Sequence, residues 1–370
     1  MRLLITGICG FVGATLTEAL LDHAAPGSLR ITGIDNLARP GAWLNRERLR
    51  QRSVSVLHGD IRLASDLESL PASDWILDAA ANPSVLAGVD GQSSSRQLVE
   101  HNLLATVNLL ETCKRWNAGF LLLSSSRVYS IPPLAALPVD VHDHAYRPVF
   151  PANLPGLGPA GITEQFSTAA PVSLYGATKL ASETLAMEYG HAYDFPVFIN
   201  RCGVMAGAGQ FGKPDQGIFA YWIHSWREER PLQYIGFDGL GHQVRDCLHP
   251  RDLAPLLIRQ MAGRGAPPHA AARPPSIINL SGGLASARSL HQLSQWCAQR
   301  FPNSPTAQSL EPRRPPTDIP KRPFDLPWVV LDPSLAGASW NWQPATPVHA
   351  IFEEIAQFAD RSPGWLECCQ

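Results

Sequence analysis

Thr6-Gly7-Ile8-Cys9-Gly10-Phe11-Val12-Gly13 spaces three glycines evenly, directly after the short, largely apolar run Arg2 to Thr6. Phe11 to Leu21 then carries helical periodicity, so the stretch reads as strand, glycine turn, helix. In that setting Gly7 allows the tight turn, Gly10 lets backbone N–H groups approach a pyrophosphate, and Gly13 lets the helix lie close to the sheet. The amides of Phe11 and Val12 open the helix, where its positive end favours an anion. The same apolar stretch superficially resembles a secretory leader, but the glycine spacing argues for a first strand and turn.

Outward from the motif, a second strand at Leu29 to Ile34 ends at Asp35, about 20 residues past the glycines. There a carboxylate accepts hydrogen bonds from ribose hydroxyls and repels a 2′-phosphate. This favours NAD over NADP, with Arg39 nearby as the one opposing charge. Asn36 follows it, and Asp60-Ile61 closes a third strand where the adenine is expected. Further strands are expected at Val54 to Leu57, Trp75 to Leu77, Gly119 to Leu123, Val197 to Asn200 and Ile277 to Leu280, with helices over 98–115 and 174–190. The alternation predicts an α/β fold, a Rossmann-type doubly wound parallel sheet with a smaller mixed α/β C-terminal substrate lobe. Residues 1–200 are assigned to the NAD-binding domain with a segment returning near 246–285. Residues 201–245 and 286–370 are assigned to the lobe, which ends in a helix near 346–359.

Two stretches interrupt the alternation. Ile131 to Pro171 is Pro- and Gly-rich, and Ala266 to Ser276 is a Pro-rich connection; long loops of this kind are expected to border the substrate cleft.

The 370 residues carry 30 Lys and Arg against 32 Asp and Glu, a net charge of −2, so nothing in the global charge holds nucleic acid or an anionic membrane. Seven scattered cysteines without C-x-x-C spacing indicate neither a disulfide framework nor a structural zinc site, and they suit a reducing cytoplasm. Cys368 and Cys369 form a vicinal pair at the end of the chain. No apolar run reaches the length of a membrane span.

The chemistry is expected on two segments. Ser173-Leu174-Tyr175-Gly176-Ala177-Thr178-Lys179 opens a helix and sets Tyr175 and Lys179 one turn apart on one face. A phenol is a weak acid at neutral pH, so it serves as a base toward a sugar hydroxyl only beside positive charge, which Lys179 and an oxidised nicotinamide supply. Ser124-Ser125-Ser126-Arg127-Val128-Tyr129 lies at the C-terminal end of a buried strand, where open α/β sheets bind ligands. The triplet alone does not single out one serine.

Together, the glycine turn, Asp35, the Ser-Ser-x-x-Val-Tyr strand end and Tyr175…Lys179 resemble the extended short-chain dehydrogenase/reductases, in the nucleotide-sugar epimerase and dehydratase branch. The resemblance covers nearly the whole chain. It implies Ser125 as the catalytic hydroxyl, Tyr175 as the base, Lys179 on the nicotinamide ribose, and Asn102 on the helix behind the cofactor. Dehydratases of the branch carry Asp-Glu after the catalytic Ser/Thr, because elimination needs further acid and base groups. Here Ser126 and Arg127 stand in those places, which points to oxidation followed by re-reduction.

Within the branch, Gln210-Phe211…Gln216-Gly217 and Gln243-Val244-Arg245-Asp246 resemble the CDP-paratose 2-epimerases. That likeness implies Gln210, Phe211 and Gln216 in the sugar pocket and Arg245 on the substrate diphosphate, unless Arg245 pairs with Asp246 or Asp252. The chain departs from the pattern at Ser130, where Gly is usual, and at Pro327, where a second Arg is expected. The expected partners are a nucleotide-diphosphate sugar and further copies of the chain in a dimer or tetramer, with no nucleic acid, membrane or metal. A nucleotide-sugar dehydrogenase with net redox turnover, a UDP-sugar 4-epimerase and a non-catalytic NAD-binding protein are the alternatives.

Overall fold

The computed structural model describes residues 1–89, 91, 93–214, 216–237, 239–263, 274–310 and 324–368. Seven strands form one sheet: β1 (Arg2–Thr6), β2 (Arg30–Asp35), β3 (Ser55–His58), β4 (Trp75–Asp78), β5 (Gly119–Ser125), β6 (Val197–Cys202) and β7 (Ile277–Leu280). Their order is β7-β6-β5-β4-β1-β2-β3, parallel throughout. This is the doubly wound Rossmann arrangement, with the order reversing beside β1. The strands read as continuous apolar runs because helices cover both faces. On one face Leu3, Ile5, Leu77, Leu121 and Phe198 meet α1 (Phe11–His23) and α5 (Ala254–Ala262). On the other, Leu4, Ile76, Phe120 and Ile199 meet α2 (Ala105–Trp116) and α3 (Ser173–Tyr193).

Gly13 decides how closely α1 approaches β1. A Cβ built there would collide with the carbonyl oxygen of Gly7, so any larger residue forces the helix off the turn.

After β6 the chain builds a lobe on α4 (Ile218–Arg227), α6 (Leu290–Arg300) and α7 (Val348–Arg361). Phe219, Trp222 and Trp226 of α4 share a core with Ile351, Phe352 and Ile355 of α7. A small sheet tops this lobe: Val244–Arg245 pairs antiparallel with Arg288–Ser289 and parallel with Trp328–Val329.

Three expectations need correction. Strands β5 and β6 run two residues further than their apolar stretches, so the polar ends Ser124-Ser125 and Arg201-Cys202 are still in the sheet. The helix expected over 98–115 is broken by a π-turn at Glu100–Leu104. The segment 131–171 is not a structureless border of the cleft. It folds into a helical turn (Ile131–Ala135) and two hairpins (Val139–His142 with Ala145–Pro148, and Leu157–Gly158 with Gly161–Ile162). Its Leu134, Leu137, Ala145, Ile162 and Phe166 pack on Val244, Leu326, Trp328 and Val330.

Most of the Pro-rich connection at 266–276, and Cys369, lie outside the described residues. No described helix is long and apolar enough to cross a membrane.

Candidate active site

A cavity of about 1000 Å³ opens between the C-terminal ends of the sheet strands and the lobe. Its volume is at the upper limit of the roughly 300–1,000 Å³ usual for one ligand, which suits a long, composite occupant. Gly7, Gly10, Phe11, Val12, Gly13, Asp35, Asn36, Asp60 and Ile61 line one end. Ser125, Tyr175 and Lys179 line the middle, and Gln210, Phe211, Gln216 and Arg245 the other end.

At the first end the glycine turn closes with Gly10 N–H donating to Gly7 O at 2.9 Å. Asp35 is anchored by the backbone N–H of Cys9 and of Leu37, each at 2.8 Å. Burial raises its carboxyl above the usual range, partly offset by these amides. Asp60 is gripped by Arg62, whose Nε and terminal nitrogen donate at 2.9 and 2.6 Å, and this pairing holds its carboxyl well below the usual range. Asn36 donates to the same carboxylate at 3.1 Å.

Helix α3 delivers the middle of the site. Tyr175, Lys179 and Glu183 succeed one another at four-residue spacing and all are buried. Glu183 accepts the Ser124 hydroxyl at 2.5 Å and a fork from Arg201 at 2.7 and 3.1 Å. This buried link sets the register between α3 and the end of β5. It also separates the serines: Ser124 is committed to Glu183, whereas Ser125 Oγ accepts the Arg127 N–H at 3.1 Å and keeps its proton to donate toward the cavity. Gly176 lets the helix sit against this turn, since a Cβ there would strike the Arg127 carbonyl oxygen. The other tyrosine of the strand-end motif is structural. Tyr129 donates to Asn279 at 2.6 Å, lies under Arg201 and is pushed up to about 12, chiefly by burial.

Asn102 was expected on the helix behind the cofactor. Asn102 does not line the cavity but works from behind it. Its Oδ1 accepts the Asn82 N–H at 2.8 Å, while its Nδ2 donates to Asn82 O at 3.1 Å and to the Thr178 hydroxyl at 3.2 Å. The π-turn turns this amide toward α3, so Asn102 positions the Asn82 wall and the Tyr175 helix.

At the far end, Arg245 pairs neither with Asp246 nor with Asp252. It forms an ion pair with Asp325, at 3.0 Å. Asp246 is fully buried and accepts the Ser281 hydroxyl and the Leu331 N–H, and Asp252 is bound by the 345–346 backbone and Thr346. Arg39, on the loop after Asp35, donates to Gln216 Oε1 at 2.9 Å and Phe211 O at 3.1 Å and lies 5.7 Å from the Phe211 ring centre. Phe211 also stacks on Trp365, at 5.4 Å between ring centres. Gln210 donates to Met205 O, which leaves its buried Oε1 without a protein partner and available to a ligand hydroxyl.

Residues in and behind the wall went unnoticed in the sequence. Arg288 stands directly opposite Arg245 in the antiparallel pair, and both line the cavity. Asp78, the last residue of β4, is fully buried, takes the Thr6 hydroxyl at 2.7 Å, and faces the charge of Lys179. A carboxylate ending an apolar strand is a signal that could have found Asp78, and Asn82-Pro83 is a turn signal for the wall beside it; nothing local marks Arg288. Among the described residues, Arg39, Arg62, Arg127, Lys179, Lys213, Arg245 and Arg288 line the cavity against three carboxylates, Asp35, Asp60 and Asp325. A chain near neutrality overall thus concentrates positive charge where an anionic ligand would lie.

A parallel sheet of this order, a glycine turn at its switch point and a ribose-type carboxylate define a Rossmann-type, dinucleotide-binding protein of the short-chain dehydrogenase/reductase kind. The chain belongs to the NAD dependent epimerase/dehydratase family, whose model matches residues 3–271. It is 26% identical over 334 residues to CDP-paratose 2-epimerase of Salmonella typhi, covering 84% of this chain and 89% of the relative. It is also 26% identical over 289 residues to UDP-glucuronate 4-epimerase of Thermodesulfobacterium geofontis, covering 76% and 75% of the two chains. The crystal structure of UDP-glucose 4-epimerase from Bifidobacterium longum, in complex with NAD+ and UDP, shares the fold with a TM-score of 0.74 at 19% identity over 99% of this chain and 100% of the other. NAD is the cofactor of the family.

Proposed function

We propose that this chain is a nucleotide-sugar epimerase that inverts one sugar carbon through a transient keto intermediate, of the CDP-paratose 2-epimerase type. The observation that carries this reading is the composition of the cavity middle. Tyr175, Lys179 and Ser125 meet there with Arg127, and among the described residues no carboxylate lines the cavity beside them; Glu183 and Asp78 lie behind this wall, held by Ser124 and Arg201 and by Thr6. Elimination of water calls for such a carboxylate, whereas oxidation and re-reduction need only a base and a shared proton.

The residues fit NAD. The turn closed by Gly10 offers backbone N–H groups to a pyrophosphate, Asp35 is held by two amides toward the ribose position, and Lys179 reaches the same cavity. When bound there, NAD would supply reversible hydride transfer with the sugar. The protein's own part is to manage the proton. Tyr175 takes it from the reacting sugar hydroxyl, Ser125 shares a hydrogen bond with that oxygen, and Lys179 keeps positive charge beside the phenolate. Reorientation of the keto sugar requires a roomy pocket, which the breadth of the cavity supplies.

At the far end, Arg245 and Arg288 flank the place for a diphosphate. Like charges directly opposite one another in a sheet are unfavourable, and an anion between them removes that cost. Gln210, Phe211 and Gln216 form the wall nearest the sugar. Tyr175→Phe tests the mechanism. Turnover should fall by roughly 100- to 10,000-fold, the usual contribution of a general base, while bound NAD is retained. Unchanged turnover would exclude Tyr175 as the base.

A further inference from the structure

The cysteine spacing gives no metal site, but the fold brings together three histidines that are distant in sequence. His144 sits at the tip of the Val139–His142/Ala145–Pro148 hairpin, His242 lies just before the Val244–Arg245 strand, and His291 is in the first turn of α6. Their ligating nitrogens all lie within 4.8 Å of one another. None of the three lines the large cavity.

We propose that His144, His242 and His291 form a binding site for one late first-row divalent cation of the Zn2+ type, which ties the hairpin to the substrate lobe.

The donor chemistry selects the ion. Three imidazoles and no carboxylate ligand suit zinc, nickel, cobalt or copper, and do not suit magnesium or calcium. Tautomer assignment agrees. His291 Nδ1 lies 3.3 Å from the Leu240 carbonyl, which can only accept, so Nδ1 carries the proton and Nε2 presents a lone pair. Histidine ligands are usually fixed in this way by a carbonyl on their second nitrogen.

The frame around the site is built. Ser289 donates to His144 O at 2.7 Å and Gln292 to Asp143 O at 2.9 Å, which fastens the hairpin tip to the start of α6. Tyr146 N–H donates to His242 O at 2.9 Å, and His291 N–H donates to Gly241 O at 2.9 Å. Two members are therefore held by the backbone on either side, and His242 is buried. The third, His144, is exposed and stacks on His291 at 4.1 Å between ring centres. Tetrahedral zinc sets donor nitrogens about 3.3 Å apart, so rotation of the His144 ring out of this stack closes the site. Water takes the fourth position. The neighbours of the bound histidines, Gln243 and Leu290, line the substrate cavity, so occupancy would stiffen that wall.

The test is equilibrium dialysis of the full-length, tag-free protein, first stripped with chelator, against micromolar ZnCl2, with NiCl2 and MgCl2 in parallel. One Zn2+ per chain is expected, Ni2+ should compete, and Mg2+ should not bind. His144→Ala, at the exposed hairpin tip, and His242→Asn should each weaken Zn2+ binding at least about 10-fold, with circular dichroism unchanged for His144→Ala. No Zn2+ bound to the wild type, or one equivalent retained at full affinity in His144→Ala, would overturn the proposal. Should His242→Asn fail to fold, the His144→Ala result decides.

Discussion

Arg288 offers the sharpest separation of binding from stability. It is half-buried, and its guanidinium donates to Ala285 O at 3.1 Å and Ala287 O at 2.6 Å. Burial pushes its pKa down, so the protein alone does little to favour its charge. Directly opposite, Arg245 already has Asp325 at 3.0 Å, whereas no described carboxylate pairs with Arg288 among the salt bridges. Arg288→Met keeps the length and apolar stem and removes the charge. A hydrogen bond to a charged group contributes about 1.5–3 kcal/mol, so nucleoside diphosphate affinity should drop about 10- to 150-fold. Relief of the like-charge pair works the other way on the ligand-free protein, by up to about 1 kcal/mol, so its stability should hold or rise slightly. Calorimetric titration with CDP, UDP, GDP and dTDP, and with the matching nucleosides, reads the first effect; urea unfolding reads the second. Arg245→Met combined with Arg288→Met should give less than the summed losses, because both guanidinia hold one diphosphate. A change under about 3-fold, or an equal loss for a nucleoside without phosphates, would refute the assignment.

Two further outcomes follow from buried charge. Glu183→Gln leaves Arg201 buried without its carboxylate and should cost about 3–5 kcal/mol in urea unfolding, with Ser124 left a neutral amide oxygen in place of a charged acceptor. His224 is buried with neither ring nitrogen hydrogen-bonded, and burial, then the charge of Arg230, brings it down to about 4. Its unfolded value is about 6.5, so the unfolded chain binds the proton first: stability is full above about pH 6.5 and falls as pH drops toward 4. At pH 5 the loss from this one group is about 2 kcal/mol. His249, which caps the Pro250–Leu253 turn and is brought down to about 4 chiefly by burial, adds a similar loss. His224→Leu should remove its share of the fall between pH 7 and pH 5, leaving that of His249. A variant as acid-sensitive as the wild type would show that His224 is not buried neutral.

Much of the cofactor half was legible because its signals are local. A glycine turn, a carboxylate at a strand end and apolar runs of four to six residues each report on a few neighbouring positions. Tyr175 and Lys179 were legible because helical spacing alone puts them on one face. What escaped depends on pairing across the fold. Arg288 matters only because its strand lies antiparallel to Arg245, and Asp325 only because Arg245 reaches it. The hairpin at 139–148 was hidden because Asp143 and His144 take positive φ, 49° and 57°, without the glycine that usually marks such a turn. The break in the helix expected over 98–115 was hidden because a π-turn leaves no mark in the apolar pattern. The near-neutral total charge concealed the cationic wall for the same reason: a sum over the chain carries no information on where the charges meet.

The most direct test of the epimerase reading is to follow a deuterium placed on the sugar carbon to be inverted. CDP-, UDP-, GDP- and dTDP-sugars labelled at C2 or at C4 would be incubated with the purified protein and the products assigned by NMR. The expected result is an epimer that keeps the deuterium on the inverted carbon, with no accumulation of NADH. Exchange of that deuterium with solvent, a dehydrated keto-deoxy sugar, or NADH formed in proportion to product would contradict inversion by transient oxidation.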